Sequence, residues 1–312
     1  MKILYVDPYS DTPYSKNYLY YEGLYNALKE THEVSLYREC FTDYNKIKNQ
    51  IPFIPDVVLF GLSWFEKHRY FKKIKNLDIF KICYLFKPSQ DFDEKKHFCK
   101  VNEIDLIITP HTFLNELENE LNTKVALFPY GFDANIFYPR DLEKVYEFGF
   151  SGALHNENNY PDGAFMNPNI RQKAYDLLNS MNHLNYFWKS TDTLETARIH
   201  DNIDYAKTIN KSKIWMATQA AYGDITPRYF EVMGSGSLLF CEENPLEYEK
   251  IFKNNINCME FKNSLEDFVR ELNKILSNED ALLKIIAQAC KEAHENHTWD
   301  QRASQLIELV NY

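Results

Sequence analysis

A chain of 312 residues is long for a single core and suits two domains of about 150 residues each. Hydrophobic residues make up 45% and aromatics 15%, with 22 Tyr and 22 Phe, so there is material for two packed cores. The formal charge of −10 disfavours a protein whose main work is gripping nucleic acid, because phosphate neutralisation needs an excess of Lys and Arg.

In chain order, short apolar runs alternate with amphipathic ones. KILYVD (2–7), a helix-like stretch at 16–30, EVSLYR (33–38), DVVLFG (56–61), IFKICYLF (79–86), DLIITP (105–110), a helix at 112–121 and KVALFPYG (124–131) make the first series. Strand, helix, strand at this spacing predicts a parallel sheet with helices on both faces, a Rossmann-like domain ending near residue 140. The rhythm restarts with YEFGFSGA (146–153), a helix at 169–181, apolar runs at 184–190, 213–218, 237–242 and 257–261, and long helices at 264–277 and 279–296. The expected fold class is therefore α/β, with two Rossmann-like domains, 1–140 and 141–312, whose parallel sheets face a central cleft; the last helix is a candidate to pack back on the first domain. Ligands of such sheets sit beyond the carboxyl ends of the strands.

The basic stretch 67–75, KHRYFKKIK, reads as an amphipathic surface helix with Phe71 and Ile74 on one face; a weak contact with a membrane surface or an anionic ligand is the alternative. Six cysteines without a C-x-x-C pair suggest small packed hydrophobes in a reducing compartment. The first apolar run is too short for a signal peptide, and no segment approaches the roughly 18 uncharged residues that span a bilayer, so a cytoplasmic protein is expected.

The most informative stretch is DITPRYFEVMGSGSLLFCE (224–242). Thr226 before Pro227 predicts a helix start, with the hydroxyl capping free amides and proline at the first helical position; Gly234 suits a left-handed stop. A helix start carries partial positive charge and free N–H donors, which favour an anion such as a diphosphate. Arg228 in the first turn opposes the dipole unless a phosphate binds there, and Glu231, on the same face, could accept from ribose or sugar hydroxyls. The plain alternative is an Arg–Glu surface pair.

PRYFEVMGSGSLLFCEENPLEYEKIF resembles the R-x-F-E-x-M-x-x-G core of group 1 glycosyltransferases with the GT-B fold, in the branch that includes spore-coat maturation proteins. The tail motif His297, Thr298, Arg302, the segment PYGFDANIFYP (129–139) and FGFSGA (148–153) are similar to further elements of that branch, in order along most of the chain. The resemblance implies transfer of a sugar from a nucleotide-sugar donor, a UDP- or GDP-sugar, to a glycan, lipid-linked or protein acceptor hydroxyl, with no cofactor and no metal. It implies donor contacts from Gly152, Arg228 and Glu231, to which the helix start at 226–229 adds Thr226 and Tyr229 as donor-binding candidates. Many retaining members carry a further Glu at the position that is Gly223 here, with Asp224 beside it.

Other candidates stand at strand ends. Asp91 and Asp93 imitate a D-x-D metal motif in the wrong half for a nucleotide; Asp91, His111 and Asp224 are the candidate catalytic groups, for proton transfer or sugar contact. Asp7 and Tyr9, in a loop that lacks the glycines of a dinucleotide fingerprint, are acceptor-side candidates. His294 and His297 lack a third ligand for zinc. The rival functions are a two-lobed sensor that binds a nucleotide or small ligand without chemistry, and a DNA-base glucosyltransferase, which the charge disfavours.

Overall fold

The computed structural model describes residues 1–7, 22–62, 73–86, 92–112, 114–154, 170–181, 184–190, 201–220 and 223–311. Tyr9, Asp91, residues 67–72 and the Asn-rich loop 155–169 lie outside the described residues. The chain divides into two compact units, Met1–Pro129 with Arg302–Tyr312, and Tyr130–Gln301.

The first unit contains β1 (Lys2–Val6), α1 (Glu22–Thr31), β2 (Glu33–Tyr37), β3 (Val57–Leu62), β4 (Phe80–Leu85), α2 (Phe92–Val101), β5 (Leu106–Thr109), α3 (Leu114–Leu121) and β6 (Lys124–Leu127). Its described strands pair in parallel in the order β2-β1-β3-β4-β5-β6. Burial follows that order. β5 is buried throughout and β4 over its last four residues, whereas the edge strand β2 is half-buried and the edge strand β6 starts at exposed Lys124. Inner strands covered on both faces need unbroken apolar runs, which is why these runs were readable.

Two expectations in this unit change. Asp93 stands in the first turn of α2, where its charge complements the helix dipole. In the basic stretch, residues 73–75 are not helical: Lys75 forms an isolated parallel bridge with Asp43. Lys73 and Lys75 instead line a surface depression of about 420 Å³ with Lys46, Thr42 and Asp43.

The second unit contains β7 (Tyr146–Gly152), α4 (Ile170–Ser180), β8 (Tyr186–Ser190), α5 (Asn202–Asn210), β9 (Ser212–Ala217), α6 (Pro227–Gly234), β10 (Leu238–Glu242), β11 (Met259–Phe261), α7 (Leu265–Leu276) and α8 (Glu279–Asn296). The last helix, α9 (Trp299–Asn311), starts here and belongs to the first unit from Arg302 onward. The strands are parallel in the order β11-β10-β9-β7-β8. Its core joins Phe148 and Phe150 of β7 to Ile214, Phe240, Phe261 and Phe268. Ser264 and Asn278 cap α7 and α8 through their side chains, each accepting from an amide three residues on. Trp215 of β9 lies over Gly149 of β7 so closely that a Cβ at 149 would collide with the indole.

α8 packs on α6. The His294 ring nitrogen lies 3.0 Å from the Gly234 carbonyl, and the His297 ring packs on Phe230 with centroids 5.3 Å apart. Both imidazoles of HENH thus serve packing. Among the described residues no group of three His, Cys, Asp or Glu side chains could hold a metal ion, and no helix is long and apolar enough to cross a membrane. All six cysteines are free thiols.

Candidate active site

Written from its first strand, the second sheet runs second, first, third, fourth, fifth, so the chain reverses direction across the sheet between β7 and β9. In sheets of this order the crevice beyond the carboxyl ends at that switch point takes the ligand. Here that point is flanked by Gly152–Ala153 and Ala217–Thr218.

α6 supplies its side chains. Thr226 is extended (φ −106°, ψ 158°) and Pro227 is the first helical residue, as expected. The predicted side-chain cap is absent: the Tyr229 amide donates to the Thr226 carbonyl at 3.2 Å, and the buried Thr226 hydroxyl has no partner among the described residues. The Arg228 amide also has no partner among the described residues. The helix stop differs too. Ser235 closes the helix by donating its amide to the carbonyls of Glu231 and Val232, and the left-handed residue is Gly236 (φ +69°). Gly234 stays helical; a Cβ there would lie 2.5 Å from Cε2 of Phe132, so its small size serves packing, not the turn.

The half-buried Arg228 does not pair with Glu231. Its Nε donates to the Tyr205 hydroxyl on α5 at 2.9 Å, and no ion pair joins it to the carboxylate. Its Nη1 points to the end of β7, where a Cβ on Gly152 would lie 3.2 Å away. The carboxylate of Glu231, one turn on and half-buried, makes no hydrogen bond to any described residue. Burial pushes its carboxyl up to about 7, against the pull of Arg228. The surface-pair alternative is therefore not the observed geometry.

The sequence reading missed a second cation. Arg171, in the first turn of α4, is 4% exposed; its Nε donates to Thr218 Oγ1 at 2.5 Å, Nη1 to the Ala153 carbonyl at 2.6 Å and Nη2 to the Gln219 carbonyl at 3.0 Å. It thus ties the segments after β7 and β9 together on either side of the switch point. A signal existed: Arg171 shares the buried helical stripe of Ala174 and Leu178, where an apolar residue is the rule. At the end of β10, the buried Glu242 accepts from the Gln219 amide at 2.8 Å, fixing the same loop.

The remaining predicted residues stand apart. Asp224 is buried under a turn in which its carbonyl accepts from the Ala220 amide at 2.8 Å and Gly223 adopts φ +82°. Tyr229 is fully buried and its hydroxyl has no partner among the described residues. In the first unit, Asp7 is buried just past β1 and accepts from Arg38 Nη1 at 3.2 Å. His111 is buried just past β5, its amide donating to Thr109 Oγ1 at 3.2 Å. The structure therefore brings together Gly152, Arg228 and Glu231, with Tyr205 and Arg171 added.

Residues 170–308 match the model of a family described as glycosyl transferase-like. Solved structures share the fold along the chain. Sucrose-phosphate synthase (tll1590) from Thermosynechococcus elongatus superposes with a TM-score of 0.63 at 9% identity, over 100% of this chain and 98% of that one. Anabaena HepE, solved in complex with UDP-glucose, gives 0.58 at 10% identity, over 100% and 99%. A glycosyltransferase from Rickettsia africae gives 0.57 at 12%, over 99% and 97%. No curated protein sequence matches the chain. The narrower resemblance to the spore-coat branch rests on the sequence motifs alone. The match at 170–308 covers most of the second unit, and the two-sheet architecture is shared from end to end with these solved structures, so the chain has the GT-B fold.

Proposed function

We propose that the chain moves a sugar from a nucleoside diphosphate sugar to an acceptor hydroxyl, with the diphosphate at the switch point of the Tyr130–Gln301 unit. The observation that carries this reading is the guanidinium of Arg228, held among the described residues by Nε alone and aimed at a strand end where glycine leaves the backbone bare. Arg228 Nη groups and the free Arg228 amide at the helix start would meet the phosphate oxygens through charge-assisted hydrogen bonds. Glu231, one turn on and without an ion pair among the described residues, would accept from the ribose hydroxyls. The HepE structures hold UDP and UDP-glucose, which supports a uridine diphosphate sugar as the donor of this chain, with a guanosine diphosphate sugar as the alternative.

In the reaction, the bond between the anomeric carbon and the diphosphate breaks, the acceptor oxygen bonds to that carbon, and negative charge gathers on the leaving phosphate. Arg228 and the helix start are fixed donors for that charge, so we assign metal-independent transfer. The acceptor hydroxyl must lose its proton; of Asp91, His111 and Asp224, only Asp224 belongs to the unit that carries Arg228. Asp7 and Tyr9 are assigned to the acceptor side.

The test is incubation with a panel of uridine and guanosine diphosphate sugars. Slow release of free nucleoside diphosphate, undiminished by EDTA, is expected, because water can replace the acceptor. Tight binding with no release would contradict transfer, and activity lost to EDTA and restored by Mn²⁺ would contradict metal independence.

A further inference from the structure

We infer that Tyr205 is a positioning residue of the donor site, holding Arg228 by Nε so that both terminal nitrogens stay free for phosphate and Glu231 stays free for the ribose. The inference rests on the proposed donor role of Arg228. No motif of the sequence marks Tyr205; it emerges from the contacts.

The tyrosine is itself fixed. Its ring stands edge-on to Trp215 at 5.9 Å and 73°, and to Phe137 at 6.0 Å and 80°. Trp215 in turn is locked over Gly149. A line of packed groups therefore runs from the centre of the sheet to the guanidinium: Gly149, Trp215, Tyr205, Arg228. With Nε engaged at 2.9 Å, the donors left are those of Nη1 and Nη2. Their outward edge offers two parallel N–H bonds that match two oxygens of one phosphate.

The choice of partner matters as much as the contact. A carboxylate at Nε would neutralise the charge a diphosphate needs, whereas a phenol does not. Burial pushes the Tyr205 hydroxyl up to about 12, so it stays protonated and neutral at physiological pH. Without that hydroxyl, Arg228 would have Glu231 as its nearest carboxylate, three residues along the same helix, and the pair would close on itself. Tyr205 thus prevents the ion pair that the sequence alone suggests.

The experiment is calorimetric titration of UDP, GDP and the parent nucleosides into the full chain and its Tyr205→Phe variant. The phenylalanine keeps the ring packing and deletes only the hydroxyl. Expected is a loss of roughly fivefold to twentyfold in diphosphate affinity, with nucleoside affinity changed far less. The donor kcat/KM should fall, with kcat sharing the loss because Arg228 faces the leaving phosphate, at an unchanged melting temperature, which a merely structural defect would not produce.

A cycle with Arg228→Ala separates the two claims. If Arg228→Ala weakens diphosphate binding and Tyr205→Phe then adds nothing, the positioning role stands. If Tyr205→Phe costs as much in the Arg228→Ala background as in the wild type, or costs nothing in a variant with unchanged melting temperature, the inference is overturned. If Arg228→Ala itself leaves diphosphate affinity intact, the donor-site reading fails instead. Should Tyr205→Phe fold poorly, Trp215→Phe, which loosens the ring's support from behind, should reproduce the selective loss toward diphosphates; equal losses toward nucleosides would overturn the claim.

Discussion

The two units begin with the same strand order, second, first, third, yet they finish their switch points in opposite ways. In the first unit the residue just past β1 is an acid, Asp7, buried and already answered by Arg38 at 3.2 Å. In the second, β7 ends in Gly152 with two guanidiniums near it: Arg171, engaged with Thr218 and two loop carbonyls, and Arg228, held by a neutral phenol with its terminal nitrogens unbonded among the described residues. The first arrangement is internally neutralised; the second leaves a cation and a carboxylate without each other. A shared topology supplies a crevice, and the side chains at the strand ends decide whether it demands an anionic ligand.

Removing the open cation should break the contrast most. Arg228→Ala is expected to cost about 1.5–3 kcal/mol of nucleoside diphosphate affinity, the value of a charge-assisted contact. Titration of UDP and GDP into the folded variant checks it, and unchanged affinity would remove Arg228 from the site.

The carboxylate should matter next. Glu231→Ala is expected to cost about 1–3 kcal/mol of donor affinity, and Glu231→Gln less, since the amide keeps one acceptor oxygen. Protonation gives a sharper version. Because burial raises Glu231 to about 7, the folded chain keeps a proton that the unfolded chain loses near its ordinary value. Its contribution to stability is therefore present at low pH and lost as pH rises through about 7. Binding runs the other way, since a ribose diol donates to the ionised form. Affinity for an intact nucleotide sugar, whose diphosphate has no proton to lose here, should rise between about pH 6 and 8, and Glu231→Gln should flatten the rise. A flat wild-type profile would count against the ribose contact.

The closed switch point should respond least. Arg38→Ala leaves Asp7 buried without that cation and should lower stability by about 3 kcal/mol in denaturant titration. Donor affinity of the folded fraction should not move; a parallel loss of affinity would mean the first unit shares in donor binding.

Much of this was legible because inner parallel strands must be apolar along their length. LIIT of β5 and LLFCE of β10 are buried throughout and stand out in the sequence. α2 escaped because its buried face includes Lys95, whose Nζ reaches the Phe86 carbonyl, so the pattern lacks a clean apolar stripe. α5, capped by Asp201, is short and only three of its residues are buried. In the site, Arg228 and Glu231 were readable from their place on a proline-started helix. Arg171 was marked only as a charge on the buried stripe of α4 and Tyr205 not at all, because their roles depend on which elements lie beside α6 and β7, and a linear sequence carries that only through tertiary packing. Thr226 and Gly234 show the converse: residues suited by type to a cap and a stop, turned to other uses by the Tyr229 amide bond and the Phe132 ring.

The central claim, that an open arginine at the second switch point receives the donor's diphosphate, is tested most directly by a crystal structure of the protein with uridine or guanosine diphosphate bound. Phosphate oxygens about 3 Å from the terminal nitrogens of Arg228 and beside Gly152, with the ribose hydroxyls on Glu231 and the Arg228–Tyr205 bond retained, are the predicted result. A nucleotide bound in the first unit, or one in the second unit that leaves Arg228 without a phosphate, would contradict it.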